Sequence, residues 1–274
     1  MYLHHWLLRN LKMRKLVLAV TAIAAFSGSA LAADLPARTY SKAPVMMEPL
    51  PSWTGFYIFG GVGGGVWDAD GNTVTNPGGV AVTRDQRTGG DGWFGTVGAG
   101  YDWQFSGSWV AGIFADGQFG SLRGSITNPD FGAEGREKLR DTWAAGVRLG
   151  YLVAPNVYSY VNGGYTGSQW SSATLTSLFP GVAGATTTPS FNRNGWFVGG
   201  GFENNLNIFG ISAPGWFMKT EYRAAYFNRV TLPETFVGGG LTGDSLTFKP
   251  FVQTISTSLV YRFNWSGAPV AAKY

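Results

Sequence analysis

Cysteine is absent from the 274-residue sequence, and both of its histidines, His4 and His5, lie at the extreme N-terminus. The chain therefore has no disulfide, no thiol nucleophile, no cysteine ligand for a metal and no cysteine to accept a lipid anchor. Charged residues are scarce as well, at 13% of the chain against an average of about 25%. After residue 32 no apolar run approaches the roughly 20 residues of a transmembrane helix. A chain of this kind that spans a membrane must do so with strands.

The N-terminus has the pattern of a secretory signal peptide. Two basic residues precede a short apolar run over residues 16–26, and small residues at Ala30 and Ala32 follow it. A charged start, a short apolar segment and an Ala-x-Ala site are typical of a signal that is removed. We predict a signal peptide over 1–32, with a natural start at Met1 or Met13. Its removal takes both histidines with it, so the mature chain works without imidazole.

Removal of the signal also takes away the net positive charge. The mature chain from Ala33 onward has 16 basic and 16 acidic residues, because four of the 20 basic residues precede it. A neutral chain gives no electrostatic argument for binding to nucleic acid. The four basic residues that are lost are Arg9, Lys12, Arg14 and Lys15.

The full sequence is rich in glycine, with 41 residues, and in aromatic residues, at 15%. Four prolines within residues 33–52 predict a flexible, periplasmic lead-in. Residues 53–265 predict a β-barrel, and residues 266–274 predict a C-terminal tail. A soluble glycine-rich β-protein is the alternative. The barrel divides into eight strand-like runs, at residues 53–67, 92–105, 109–122, 140–153, 157–170, 195–208, 215–227 and 251–265.

The connections between these runs alternate in length. Those after the first, third, fifth and seventh runs are long and polar, whereas residues 106–108, 154–156 and about 209–214 form short connections. Long external loops and short periplasmic turns are the asymmetry of an outer-membrane barrel. The fold class predicted is therefore all-β, an eight-stranded antiparallel up-and-down transmembrane β-barrel, with both termini on the periplasmic side.

Apolar and polar residues alternate along the last runs, which assigns one face to lipid and the other to the lumen. The lipid-facing sets concentrate aromatic residues near the strand ends, where amphipathic rings meet the membrane interfaces. A set of core aromatic residues is the alternative reading. The predicted aromatic girdle consists of Trp93, Trp103, Trp109, Trp143, Trp196, Trp216, Tyr226, Phe263 and Trp265.

The order of several short segments resembles a known family. These segments are ADLPARTYSKAP, WTGFY, GWFGTVGAGYDWQF, GVRLGY followed by GGYTG, and SLVYRFNW with the tail SGAPVAAKY. In this order they resemble the outer-membrane immunogenic proteins, small porin-like barrels of alphaproteobacteria. The resemblance implies an OmpA-like barrel without a peptidoglycan-binding domain, in the outer membrane of a Gram-negative bacterium. Expected partners are outer-membrane lipid, lipopolysaccharide and the barrel-assembly machinery, which would engage the last strand.

The lumen-facing positions carry as many acidic as basic residues. Unpaired charges in so narrow a barrel cost several kcal/mol, which favours an internal ion-pair network. A narrow or gated polar channel is the functional alternative. The predicted lumen charge network consists of Asp102, Asp116, Arg148, Glu203, Lys219, Glu221, Arg223 and Arg262, of which the residues on the last three runs form the centre. Gln118 shares this face.

The residues give no support for catalysis or for a cofactor. Without histidine a Ser-His dyad is impossible, and no spacing marks a pair of catalytic carboxylates. Aspartates at 68, 70, 85 and 91 offer oxygen ligands for a cation, but a solvated loop is the favoured interpretation. We predict a structural, surface-exposed barrel with at most weak porin-like activity, and neither an enzyme nor a metalloprotein. The alternative is a ligand receptor for hemin, which some members of the resembled family bind.

Overall fold

The computed structural model of the protein describes residues 52–130, 132–178, 185–208 and 211–263. The predicted signal peptide, the tail, Trp265 and all of the lead-in except Ser52 lie outside these residues. None of the described residues belongs to a helix that is long and apolar enough to cross a membrane. The described chain forms one antiparallel sheet of twelve strands: β1 (Gly55–Gly71), β2 (Thr73–Thr75), β3 (Gln86–Phe105), β4 (Trp109–Asn128), β5 (Ala133–Ala154), β6 (Val157–Trp170), β7 (Ala173–Ser177), β8 (Ala185–Thr188), β9 (Phe191–Ile208), β10 (Ile211–Phe227), β11 (Val230–Phe236) and β12 (Leu241–Arg262).

Eight of these strands close into a ring. Each pairs with its neighbour in the order β1, β3, β4, β5, β6, β9, β10 and β12, and β12 pairs back with β1 from Arg262–Tyr57 up to Lys249–Asp70. Closure leaves no free edge in the ring, as a sheet surrounded by lipid requires. The predicted eight-stranded antiparallel up-and-down barrel is confirmed.

The two faces of the ring differ as the period of two predicts. Along β12 the even positions from Val252 to Arg262 are buried in the lumen, whereas Ile255 and Leu259 point outward and are exposed. On the neighbouring β1, Tyr57 is buried while its successor Ile58 is exposed. The outer face is thus an apolar band, which suits contact with lipid tails.

The strands are longer than the sequence indicated, and they form a second ring above the first. The segments predicted as long polar loops contain β2, β7, β8 and β11. Strands β7, β8 and β11 take the places of β6, β9 and β10 between β5 and β12, through the pairings β5–β7, β7–β8, β8–β11 and β11–β12. These four strands were not predicted from the sequence, which indicated only long polar connections there. We call this second ring the extracellular storey, because it is built from the connections that the sequence predicted to be external.

The third short connection also differs from its prediction. Strand β10 begins at Ile211 rather than Gly215, and Ile211 pairs with Ile208 across a connection of residues 209–210. The register between β9 and β10 shifts between Ser212 and Phe217. The residues that β10 has in excess of its partner strand are therefore accommodated by an irregularity within the hairpin.

Glycines on β3 make room for aromatic rings inside the barrel. A side chain at Gly98 would collide with the ring of Phe59, and one at Gly100 with the ring of Tyr57. Both rings belong to β1, the strand that pairs with β3. The glycine-rich strands therefore allow large lumen side chains to lie flat against the wall and fill the narrow interior.

Candidate functional site

The lumen near the periplasmic end is crossed by four charged side chains, which we call the lower cluster. The guanidinium of Arg148 on β5 binds both carboxylate oxygens of Asp102 on β3, at 2.9 and 2.5 Å. Arg262 on β12 binds Asp102 at 2.8 Å and Glu203 on β9 at 2.8 Å. A contact of 3.3 Å between Arg148 and Glu203 completes the cycle. Two cations and two anions thus form a neutral, bidentate network across the barrel.

Aromatic rings enclose the lower cluster. The guanidinium of Arg148 lies 4.2 Å from the ring centroid of Tyr57, and that of Arg262 lies 4.4 Å from the ring centroid of Trp53. The Trp53 ring also packs against Tyr158 and Phe217, with centroids 5.4 and 5.0 Å away. Cations over ring faces gain further stabilisation, most of all when water is excluded. The periplasmic end of the lumen is therefore filled by rings and paired charges.

A second group lies higher in the lumen, and we call it the upper cluster. Arg223 on β10 binds both oxygens of Asp116 on β4, at 2.9 and 2.6 Å, and Glu221 at 2.8 Å. The other oxygen of Glu221 accepts a hydrogen bond from the Tyr160 hydroxyl at 2.8 Å and lies 3.7 Å from the Lys219 ammonium. The upper cluster is also neutral and almost fully buried.

The eight residues predicted for the lumen network are thus divided between two clusters. The sequence placed the centre on the last three long strands, β9, β10 and β12. In the structure, Arg223 reaches across the lumen to Asp116 on β4, and Arg262 reaches Asp102 on β3. Lys219 and Glu203 are register neighbours but form no ion pair within the described residues, since Lys219 contacts Glu221 instead. In a barrel this narrow, long charged side chains reach ion-pair partners on the opposite wall as well as on their own or a neighbouring strand.

The outer surface carries the aromatic residues predicted to face lipid. Eight of the nine are exposed, and the ninth, Trp265, lies outside the described residues. Several form ring pairs along the wall: Trp196 stacks on Tyr226 with centroids 4.4 Å apart, and Trp109 meets Tyr151 at 5.5 Å. The eight described members are Trp93, Trp103, Trp109, Trp143, Trp196, Trp216, Tyr226 and Phe263.

The extracellular storey has an interior that the sequence reading missed. Trp67 and Trp170 meet edge to face at 5.2 Å, and both pack against Phe248. Above these rings, the buried carboxyl of Glu234 accepts hydrogen bonds from Thr186 and from Asn128. The continued alternation of β12 above Phe251, with Phe248 and Leu246 both buried, was the signal that could have revealed this core.

Buried carboxyls of this storey are held without a cation. Glu137 on β5 is fully buried and accepts one hydrogen bond, from the Lys138 backbone N–H, while its other oxygen has no hydrogen-bond partner among the described residues. Burial raises the pKa of Glu137 to about 8. Burial likewise raises the pKa of Glu234, against the hydrogen bonds from Thr186 and Asn128.

The aspartates considered for a cation site lie on the outside of this storey. Asp68 and Asp70 of β1 contact the Arg87 guanidinium at 2.7 and 3.8 Å. Within the described residues, no group of three or more His, Asp or Glu side chains is arranged to hold a metal ion. Arg87 therefore supplies the counter-charge for the first two aspartates of the set.

A closed antiparallel barrel with an apolar outer band, exposed aromatic residues at its ends and a lumen of paired charges defines the protein as an integral outer-membrane β-barrel protein. The fold is similar to that of the outer-membrane protein OprG of Pseudomonas aeruginosa, with a TM-score of 0.50, 10% identity, and coverage of 76% of this chain and 97% of OprG. No family model matches the sequence.

Curated relatives define the class more closely. The chain is 30% identical over 214 residues to the 31 kDa outer-membrane immunogenic protein of Brucella melitensis, covering 77% of this chain and 85% of the relative. The 31 kDa outer-membrane immunogenic protein of Brucella suis matches with the same identity and coverage. The chain belongs to this family of outer-membrane immunogenic proteins, as its sequence segments predicted, and it resides in the outer membrane of a Gram-negative bacterium.

Proposed function

We propose that this protein is a structural and surface-exposed outer-membrane barrel with at most weak porin-like activity. The observation that carries the proposal is the filling of its lumen. Two neutral ion-pair clusters lie one above the other, with the Trp53 layer at the periplasmic end and the Trp67–Trp170 layer in the extracellular storey. An ion entering from either side meets rings first and then charges that already have partners.

A small cavity in the lumen supports the same proposal. A cavity of about 10 Å³ lies between the upper cluster and the rings of the extracellular storey, bordered by Phe94, Gln118 and Thr254. Roughly 10–15 Å³ is the minimum for one water molecule. Such a space does not accommodate a hydrated ion, so conduction would require side chains to move.

Single-channel recording in planar bilayers tests this proposal. We expect the refolded wild-type barrel to show only brief, small openings. Replacement of Asp116 and Arg223 together by alanine removes a matched pair and should raise the conductance, because it clears space without stranding a charge. Arg87→Gln, on the outside, is the control and should leave the recordings unchanged. Large steady conductance in the wild type would show that the lumen is an open pore.

We also propose that the protein has no enzymatic role. Both oxygens of Asp102, Asp116, Glu203 and Glu221 have cationic or hydroxyl partners, which leaves none of these carboxylates free to act as a general base. Incubation of the refolded barrel with phospholipid and with a peptide library should yield no products above a heat-denatured sample. Turnover that disappears on Glu221→Gln would contradict this proposal.

Two further predictions from the sequence are untested and are kept here as proposals. A receptor for hemin is the alternative function, and a spectral titration of the refolded barrel with hemin distinguishes it by a saturable Soret shift. Engagement of the barrel-assembly machinery through the last strand is a further proposed interaction, and crosslinking from the outward-facing Leu259 of β12 during assembly would test it.

A further inference from the structure

Outward-facing charges are confined to one end of the protein. In the described residues, the lipid-facing positions between the two groups of girdle residues carry no Lys, Arg, Asp or Glu, whereas the outer face of the extracellular storey carries many. The boundary is marked by Trp93 on β3, which is 79% exposed and pairs with Ser121 on β4. Trp prefers the level of the lipid headgroups. Residues just beyond Trp93 are therefore placed against the headgroups of the outer leaflet.

Four cations lie at this level on one wall, and we call them the basic face. Arg136, Lys138 and Arg140 alternate along the outer side of β5, and Arg123 lies beside them on β4. Arg123 is two residues beyond Ser121, the register partner of Trp93. Two residues of strand correspond to about 7 Å. The basic face thus begins one side-chain position above the outer aromatic residues.

The arrangement of the basic face is unfavourable for a free protein. Arg123 and Lys138 are direct cross-strand partners. Like charges that lie directly opposite each other destabilise a sheet. Among the described residues, none of the four cations has an ion-pair partner within 4.0 Å, although acidic residues are near: Asp91 opposite Arg123, Glu134 and Asp141. The Arg123 Nε donates only to the Ser121 hydroxyl, at 2.9 Å.

The wall beside these cations is concave. A groove of about 370 Å³ is lined by Arg123, Gly124, Ser125, Glu134 and Arg136. The guanidinium groups of Arg123 and Arg136 come from the neighbouring strands β4 and β5, so an anion in the groove would contact both. Guanidinium groups bind phosphate oxygens through paired, charge-assisted hydrogen bonds. Glu134 lies at the end of the groove away from the membrane, which favours an anion placed toward Lys138.

We propose that the basic face binds the phosphate groups of lipopolysaccharide in the outer leaflet. The level of the groove, directly beyond the outer aromatic residues, selects a membrane lipid over a soluble anion. The unpaired cations supply the charge, and phosphate relieves the repulsion between Arg123 and Lys138. Exposed rings such as Trp93 and Phe119, which are 79% and 55% exposed, lie below them and contact the acyl chains of the same lipid layer.

Binding of fluorescently labelled, purified lipopolysaccharide to the refolded barrel in detergent tests the proposal. We expect the double variant R136Q/K138Q to bind about 25-fold more weakly, at about fivefold for each cation removed at a membrane surface. The matched control R84Q/R87Q removes two exposed cations from the β1–β3 side and should leave the affinity within twofold. Enzymatically dephosphorylated lipopolysaccharide should bind the wild type as weakly as intact lipopolysaccharide binds R136Q/K138Q.

A stability measurement on K138Q provides a second, independent readout. In detergent without lipopolysaccharide, its unfolding midpoint should equal or exceed that of the wild type, because the replacement removes a repulsion. With saturating lipopolysaccharide, the order should reverse. The proposal is overturned if R136Q/K138Q and R84Q/R87Q lose affinity equally, if dephosphorylation has no effect, or if K138Q is less stable in both conditions.

Discussion

The two storeys of this barrel bury carboxyl groups in opposite ways. Within the ring of eight strands, which we call the membrane-level ring, four acidic side chains face four cations, and every acid has a charged partner. In the extracellular storey, Glu137 and Glu234 are fully buried and have no ion-pair partner in the described part of the chain. The same sheet therefore contains an ion-paired lumen at one end and buried carboxyls without a cationic partner at the other.

The position of water explains the difference. A carboxylate in the membrane-level lumen is enclosed by lipid-facing walls and by ring layers at both ends, so that only a neighbouring cation can offset the loss of hydration. The outer face of the extracellular storey carries exposed polar and charged residues rather than an apolar band, which suits contact with water. Burial there raises the pKa of both carboxyls, that of Glu137 to about 8, so Glu137 is protonated at neutral pH. Pairing and protonation are two ways to avoid an unpaired buried charge.

The largest effect should come from removal of a shared acid in the lower cluster. Asp102→Ala leaves Arg148 and Arg262 with only Glu203 between them. Loss of one partner of a buried ion pair costs about 3–5 kcal/mol. Titration with urea of the barrel folded into lipid vesicles should show a decrease of this size.

The control for this change keeps the charges balanced. In Asp102→Ala/Arg148→Met, Arg262 and Glu203 remain as a pair, at 2.8 Å in the wild type. The double variant should therefore be more stable than Asp102→Ala alone, even though it removes more of the network. Equal loss in the single and double variants would show that the lower cluster does not act as a coupled unit.

The next largest effect concerns the outer face. Leu259 and Leu241 are leucines of the same strand, β12, and are 48% and 64% exposed. Leu259 lies in the middle of the apolar band, whereas Leu241 belongs to the extracellular storey. An arginine on the lipid face near the bilayer midplane costs about 2–4 kcal/mol. Leu259→Arg should show this loss in the urea titration, and Leu241→Arg should show none. A similar loss in both variants would mean that exposure alone, and not lipid, determines the cost.

The sequence predicted the membrane-level ring because that ring obeys a simple period. Alternation along β12 assigned Leu259 to lipid and Arg262 to the lumen, and both lie there. The equal numbers of acidic and basic residues in the lumen predicted an ion-pair network. Which acid pairs with which base depends on how far each side chain reaches across the lumen. The pairing of Arg223 with Asp116 joins residues 107 positions apart, and no local pattern encodes it.

The extracellular storey was missed because its strands are short and lie within segments rich in Gly, Thr and Pro. Strand β8 reads ATTT, and β11 contains Pro233 within TLPET. These short segments become strands because β5 and β12 continue past the membrane and offer unpaired edges. Tertiary context thus determines their structure, as it commonly does for strands. The buried Glu137 gave no signal either, since it alternates with Arg136 and Lys138 in a stretch that reads as a solvated surface.

The most local expected effect tests protonation in the extracellular storey. Glu137 has a pKa raised from 4.5 to about 8, with burial as the main cause. Below about pH 4.5 the carboxyl is protonated in both the folded and the unfolded chain, and its favourable contribution is fully present. As the pH rises toward 8, the unfolded chain ionises while the folded chain stays protonated. Stability should therefore fall by up to about 1.4 kcal/mol per pH unit in this window.

Glu137→Gln should remove this slope, because the amide keeps the shape of the protonated carboxyl and does not titrate. Hydrogen exchange of the backbone amides of β5 near residue 137, measured at pH 5, 6 and 7, reports the local stability of the storey. The wild type should exchange faster, relative to the intrinsic rate, at each higher pH, and the variant should show constant protection. Glu134→Gln, an exposed position on the same strand, should keep the wild-type slope.

A slope that persists in Glu137→Gln would assign the pH dependence to the other buried acids, Glu234 and Asp244, whose pKa values burial also raises. Constant protection in the wild type would instead show that Glu137 stays ionised, and the contrast between the two storeys would then be wrong.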